Sequence, residues 1–177
     1  MYPNPVLRSS SVHPGRPRLG LVGMAVLCLA AALPAQAQTS TATFTVTATV
    51  LPACTVVGGV PLAFGVVTPG VQRDGSVTVT ATCTLGTPYT LALDAGTGSG
   101  ATVASRLMTS GSDTLTYTLY QDAARSTLWG DGTAGTSVRS STGTGVSQTF
   151  TVYGRVPSNA TAPVGSYSDT ITVTATY

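Results

Sequence analysis

From residue 43 onward, apolar and polar positions alternate in short runs. Phe44, Val46, Ala48 and Val50 interleave with Thr43, Thr45, Thr47 and Thr49. A short run at 60–67 contains Leu62 and Phe64. Val77, Val79, Ala81 and Cys83 share a second alternating face, and Tyr89, Leu91 and Leu93 a third. Leu115, Tyr117 and Leu119 follow, then Phe150, Val152 and Val156, and finally Tyr167, Ile171, Val173, Ala175 and Tyr177. A period of two places such residues on one face of a half-buried strand. Between the runs stand turn signals: Asp74-Gly75, Gly86 with Pro88, the Gly-rich stretch 94–100, and Trp129-Gly130-Asp131-Gly132 in a long loop at 121–146. No segment sustains a helical period. About seven strands punctuated in this way predict an all-β sandwich, with a small closed barrel as the alternative. No fixed repeat argues for a solenoid.

The first 37 residues read differently. Residues 1–20 are polar and carry Arg8, Arg16 and Arg18, and residues 19–33 are an apolar run. The segment Pro34-Ala35-Gln36-Ala37 then supplies a small-x-small cleavage pattern. That order is a secretory signal peptide over 1–37, and the apolar run is short for a membrane span. The polar region is long for a leader, which is compatible with a natural start downstream of Met1. Cys28 follows Leu27 rather than a small residue, so it reads as part of the discarded leader and not as a lipidation site. The expected mature domain is 38–177.

Composition sharpens the strand reading and removes most chemistry. Of the 140 residues from position 38, 32 are Thr and 17 are Val, both β-branched and suited to strands. Five Arg face six Asp in this part, with no Lys, Glu or His, since His13 lies in the leader. The mature chain therefore lacks the basic clusters of a nucleic-acid binder and the imidazoles of most hydrolases and metal sites. Asp, Tyr, Ser and Thr remain, in no motif that arranges them for acid–base work, so the chain reads as no enzyme with no cofactor. Two cysteines remain, Cys54 and Cys83. An even pair in an exported domain reads as a disulfide, worth about 3.5 kcal/mol in the chain-entropy model. The competing free thiol has no His or Lys to activate it.

Two features sit awkwardly with a solitary sandwich. Leu, Ile, Val and Phe make up only 30 of the 140 residues, close to the level at which a core becomes thin. The first and last alternating runs are also long, without the Lys or Pro that usually protect a sheet edge. Such runs either aggregate or pair with another chain.

The residues that carry a resemblance are the opening TATFTVTATVLPACTV, PLAFG at 61–65 and SVTVTATCTLGTPYTLALDAGTGSG at 76–100, then YTLYQDAARSTLWGDGT at 117–133 and TVYGRVPSNATAPVGSYSDTITVTATY at 151–177. In this order and spacing the chain resembles the spore coat U domain family, which includes major subunits of archaic chaperone–usher pili. The resemblance covers residues 40–177. It implies an immunoglobulin-like β-sandwich that lacks its last strand and is completed by a donor strand from another subunit. It further implies a periplasmic chaperone and an outer-membrane usher as partners, and other copies in a head-to-tail polymer. The protein would pass through the periplasm to a surface fibre serving adhesion or biofilm formation. The expected donor is residues 39–50, with Phe44, Val46, Ala48 and Val50 as the inserted row. The expected acceptor edge carries Tyr167, Ile171, Val173, Ala175 and Tyr177. A self-paired first strand, a coat or matrix protein of the same family without a pilus, and a tip adhesin are the competing readings.

Some single residues admit two roles. Trp129 in its Gly/Asp loop either stacks on a sugar or anchors the loop. Asp94, Asp113, Asp122 and Asp131 follow no calcium-loop spacing and read as turn residues. Asn159-Ala160-Thr161 has the form of a glycosylation sequon. Arg106, Arg125, Arg139 and Arg155 read as scattered solubilising charges.

Overall fold

A computed structural model describes residues 36–177. The expected leader, with His13 and Cys28, lies almost wholly outside the described residues. Two units divide the chain, Met1–Val46 and Thr47–Tyr177, and every strand of the described residues lies in the second. The described residues contain no helix.

Eight strands follow in chain order: β1 (Cys54–Val57), β2 (Arg73–Cys83), β3 (Pro88–Leu93), β4 (Arg106–Ser110), β5 (Asp113–Tyr120), β6 (Arg139–Thr142), β7 (Ser147–Val156) and β8 (Val173–Thr176). They form two antiparallel sheets. The larger has the order β1-β2-β7-β5-β4, and the smaller β6-β3-β8. The longest ladder joins β2 to β7, from Arg73↔Val156 to Thr82↔Ser147. Its register puts Val77 opposite Val152 and Val79 opposite Phe150, so both apolar rows fall on one face. Val79, Ala81 and Cys83 of β2, Leu115, Tyr117 and Leu119 of β5 and Val152 and Val156 of β7 meet Tyr89, Leu91 and Leu93 of β3 in one buried core.

The thin aliphatic content is offset by three fillers. Trp129 is buried from the long loop, and its Nε1–H donates to the Leu91 carbonyl at 3.0 Å. Leu62 and Phe64 form no strand but lie on the inner face of the larger sheet. They fit there because Gly75 and Gly154, paired directly across the ladder, have no side chains. A Cβ on Gly154 would stand 2.8 Å from Phe64 Cζ, and one on Gly75 3.0 Å from Leu62 Cδ2. Phe64 in turn tilts against Tyr117, with ring centroids 6.0 Å apart.

Arg106 is not a surface charge. It points inward from β4 and is completely buried. Its Nε–H donates to the Asp94 carbonyl at 2.8 Å and its Nη2 to the Trp129 carbonyl at 2.9 Å. One side chain of the larger sheet thus satisfies acceptors at the end of β3 and in the long loop. A buried cation needs such partners.

Candidate functional site

The sandwich is covered unevenly. At one flank the two sheets end in β1 and β8, which lie beside each other without a shared ladder. Among the described residues β1 pairs only with β2, and β8 only with β3. Each therefore presents an edge of unpaired backbone groups.

Each edge also carries an apolar row that is half covered. Along 167–176 burial alternates strictly: Tyr167, Asp169, Ile171, Val173 and Ala175 are half-buried and the residues between them are exposed. Cys54 and Val56 repeat the pattern on β1. These side chains pack against the core from its margin. Only Val173 and Ala175 of the expected acceptor row fall within β8. Tyr177 follows the strand and is exposed.

Residues 167–172 do something the alternation alone does not reveal. Ser168 pairs with Thr109 of β4 through both backbone hydrogen bonds (2.9 and 3.1 Å), so the segment first touches the larger sheet. It then crosses to the smaller sheet as β8. Asp169, a carboxylate within an otherwise apolar row, stands at the crossing. One carboxylate oxygen accepts the Tyr117 hydroxyl at 2.6 Å, and the other accepts the Thr97 N–H and hydroxyl and the Thr170 N–H, each at 2.8 Å. Burial raises its pKa, but these hydrogen bonds outweigh burial and hold it below the usual carboxylate value. Burial, then the bond to Asp169, pushes the Tyr117 phenol up. Asp94 adds a further pin: its carboxylate accepts the Thr172 N–H at 3.0 Å and its own N–H donates to the Thr172 carbonyl at 3.2 Å. The open edge is thus held in place before β8 begins. The available signal was position: Asp169 lies in phase with Tyr167 and Ile171.

The opposite wall is held covalently. Cys54 and Cys83 are disulfide-bonded and sit directly opposite each other at the first pair of the β1–β2 ladder. The neighbouring Thr84 hydroxyl accepts the Ala53 N–H at 3.2 Å and donates to the Leu51 carbonyl at 3.3 Å, while the Thr84 N–H donates to the Ala53 carbonyl at 2.9 Å.

Before this anchor, residues 36–53 form no strand. Phe44 is 87 % exposed, Val46 80 % and Val50 79 %, and Ala48 is exposed as well. Large apolar side chains in regular alternation are thus presented to solvent.

The remaining candidates are occupied by the chain itself. The Asp122 carboxylate accepts the Ser126 and Thr127 N–H groups, and Asp131 accepts the N–H and hydroxyl of Thr133. Both are turn residues whose pKa values these bonds lower. Trp129 is a buried loop anchor. An open hollow of about 610 Å³ beside the end of β8 is lined by Pro88, Thr90, Ser140, Thr142, Thr176 and Tyr177 among others. Its exposed lining is mostly apolar, and no Lys, Arg, Asp or Glu is among the lining residues.

Comparison with known proteins bears on the whole body. The Spore Coat Protein U domain model matches residues 40–174. "Protein U" of Myxococcus xanthus is 36 % identical over 169 residues, covering 86 % of this chain and 93 % of that protein. Among solved structures, the chain resembles a crystal structure from Acinetobacter baumannii, the CsuC–CsuE chaperone–tip adhesion subunit pre-assembly complex of archaic chaperone-usher Csu pili. The TM-score is 0.52 at 24 % identity, and the match covers 73 % of this chain and 40 % of that one. This last likeness is one of fold.

Proposed function

This chain belongs to the Spore Coat Protein U domain family, and from that premise we propose that it is an exported structural subunit of a surface fibre built by donor-strand exchange. The carrying observation is a complementarity within one molecule. The β1/β8 flank has two sheet edges and a half-covered apolar row, and residues 39–50 have an exposed apolar row and no sheet. An extended segment laid along β8 would pair its unpaired edge and place alternate side chains against the core. Four such side chains would bury several hundred Å², worth up to about 10 kcal/mol before ordering costs.

The row in one copy would complete the flank of the next. That contact is heterologous and head-to-tail, so it gives an open fibre. An interior member of such a fibre must both give and receive a strand, whereas a tip subunit need only receive one. Having both features supports a shaft subunit. On this reading a periplasmic chaperone covers the open flank during export, an outer-membrane usher passes the subunit outward, and the fibre serves adhesion or biofilm formation.

The test is surface material run unboiled on a denaturing gel. A ladder of multimers is expected from the full chain, and none from a chain lacking 39–50. A truncated chain that still ladders sinks the proposal. Phe44→Asp should weaken the ladder strongly, because it places a charge in a dry position. A lone monomer from the full chain would instead favour a coat or matrix protein of the same family.

A further inference from the structure

The disulfide end of the sandwich carries a second apolar feature that strand insertion does not use. The β2–β3 turn and the β6–β7 turn are zipped together there: Gly86 N–H donates to the Gly143 carbonyl at 2.8 Å, Gly143 N–H to the Thr87 carbonyl at 2.7 Å, and Gly145 N–H to the Cys83 carbonyl at 3.1 Å. Each turn exposes one large aliphatic side chain, Leu85 at 75 % and Val146 at 65 %. A Cβ on Gly145, next to Val146, would lie 3.7 Å from Leu85 Cβ, so the two turns are neighbours. Leu51 is exposed at the same end, where its carbonyl is held by Thr84.

We propose that Leu51, Leu85 and Val146 form a seat against which the next copy of this chain packs, so that the junction between subunits is a rigid stack and not a flexible tether. The inference rests on the strand-exchange reading and concerns a different surface. The occupant follows from chain length. Val50 ends the apolar row and Leu51 is already bonded to the body, so no free residue separates the inserted strand from this end. Consecutive Cα atoms are about 3.8 Å apart. Whichever direction the strand takes along β8 of its host, the rim of the host must meet this end of the donor. The rim would land on three exposed aliphatic side chains borne by a segment and two turns already fixed by hydrogen bonds, and no Lys, Arg, Asp or Glu lies within residues 51–54, 84–87 or 143–146. Exposed aliphatic side chains gathered into one patch mark an association surface, whereas singly scattered ones do not.

The experiment compares fibres of the full chain with fibres of a Leu85→Asp, Val146→Asp chain. Neither residue belongs to β8 or to the 39–50 row. The expected result is a retained multimer ladder on the unboiled gel, with a persistence length in electron micrographs reduced about threefold. A retained ladder with unchanged persistence length overturns the seat and leaves strand exchange standing. A full chain that gives no ladder overturns both. Should the double variant fail to assemble, a photoreactive amino acid at position 85 of the otherwise unaltered fibre decides the matter. Cross-links from 85 to a second copy support the seat, and illumination that yields none overturns it.

Discussion

The closed interior of the sandwich and its open flank are written in the same alternation. Val77–Val79–Ala81–Cys83 and Tyr89–Leu91–Leu93 differ little in pattern from Ile171–Val173–Ala175. Yet Leu91 and Leu93 are buried, and the flank residues are only half covered. The difference lies in the neighbours. Among the described residues, β3 has a strand on each side and a facing sheet, while β8 has a strand on one side only. Period two states which face turns inward. It does not state what lies on the far side of the strand.

The contrast can be broken by substitution. Leu91→Ala should have the largest effect, about 4 kcal/mol of stability lost, because a buried leucine leaves a cavity that its neighbours fill only in part. Denaturant unfolding of the isolated chain measures it. Gly154→Ala should cost about 2 kcal/mol, since the new methyl meets Phe64 and Leu62 and overpacks the inner face. Shortening the clashing ring with Phe64→Leu should return part of that loss. Ile171→Ala on the flank should cost only about 1 kcal/mol in the isolated chain, because much of that side chain is still wet. In a fibre built by the proposed strand exchange the same change should cost more, read as earlier breakdown of the ladder on warming. Equal losses for Leu91→Ala and Ile171→Ala in the isolated chain would show that the flank is closed already.

The smallest expected effect is on pH dependence. The folded pKa of Asp169 lies below its ordinary value, so the carboxyl group binds fewer protons in the folded chain than in the unfolded one. Its contribution is complete above the unfolded carboxylate value and is lost as pH falls through the folded one. Asp74, held down chiefly by its hydrogen bond from Arg155, follows the same sign, so acid weakens the domain at several points. Asp169→Asn should therefore lose less of its urea midpoint than the unaltered chain between about pH 6 and about pH 3. An identical acid loss in both would remove Asp169 as a pin of the crossing segment.

The sequence was most legible where a strand is covered on both sides. The interior runs of β2, β3, β5 and β7 all carry the alternation that identified them. The other elements hide for physical reasons. β4 has a buried cation, Arg106, in its inward row, and its compensation comes from backbone carbonyls that no pattern displays. β6, Arg-Ser-Ser-Thr, has no large apolar residue at all. β1 is four residues long and is held largely by its cysteine. The stretch 60–67 has the residues of a strand, but Leu62 and Phe64 instead fill the dimple left by two glycines far apart in sequence. The 43–50 run has a strand's alternation and forms no strand within residues 47–50 or before. Of the candidate site, the row Ile171–Val173–Ala175 was visible in the sequence. The sheet switch at Ser168 and its carboxylate pin were not, because both depend on partners more than 50 residues away.

The disulfide at the mouth of β1 has a mechanical consequence. Tension on the segment before Leu51 enters the body at Thr84 and at Cys54, and the sulfur bridge passes it directly to Cys83. The hydrogen bonds of Thr55–Val57 are bypassed, so the short β1–β2 ladder is not on the path. From Cys83 the pull runs through a turn clamped by Gly143 into β3, and across the antiparallel β3–β8 ladder to the edge where a neighbour's strand would lie. That ladder is loaded along its strand axes, so its hydrogen bonds share the force instead of parting one by one. A fibre of such subunits would carry load from copy to copy along one covalent shortcut and one shear-loaded strand pair.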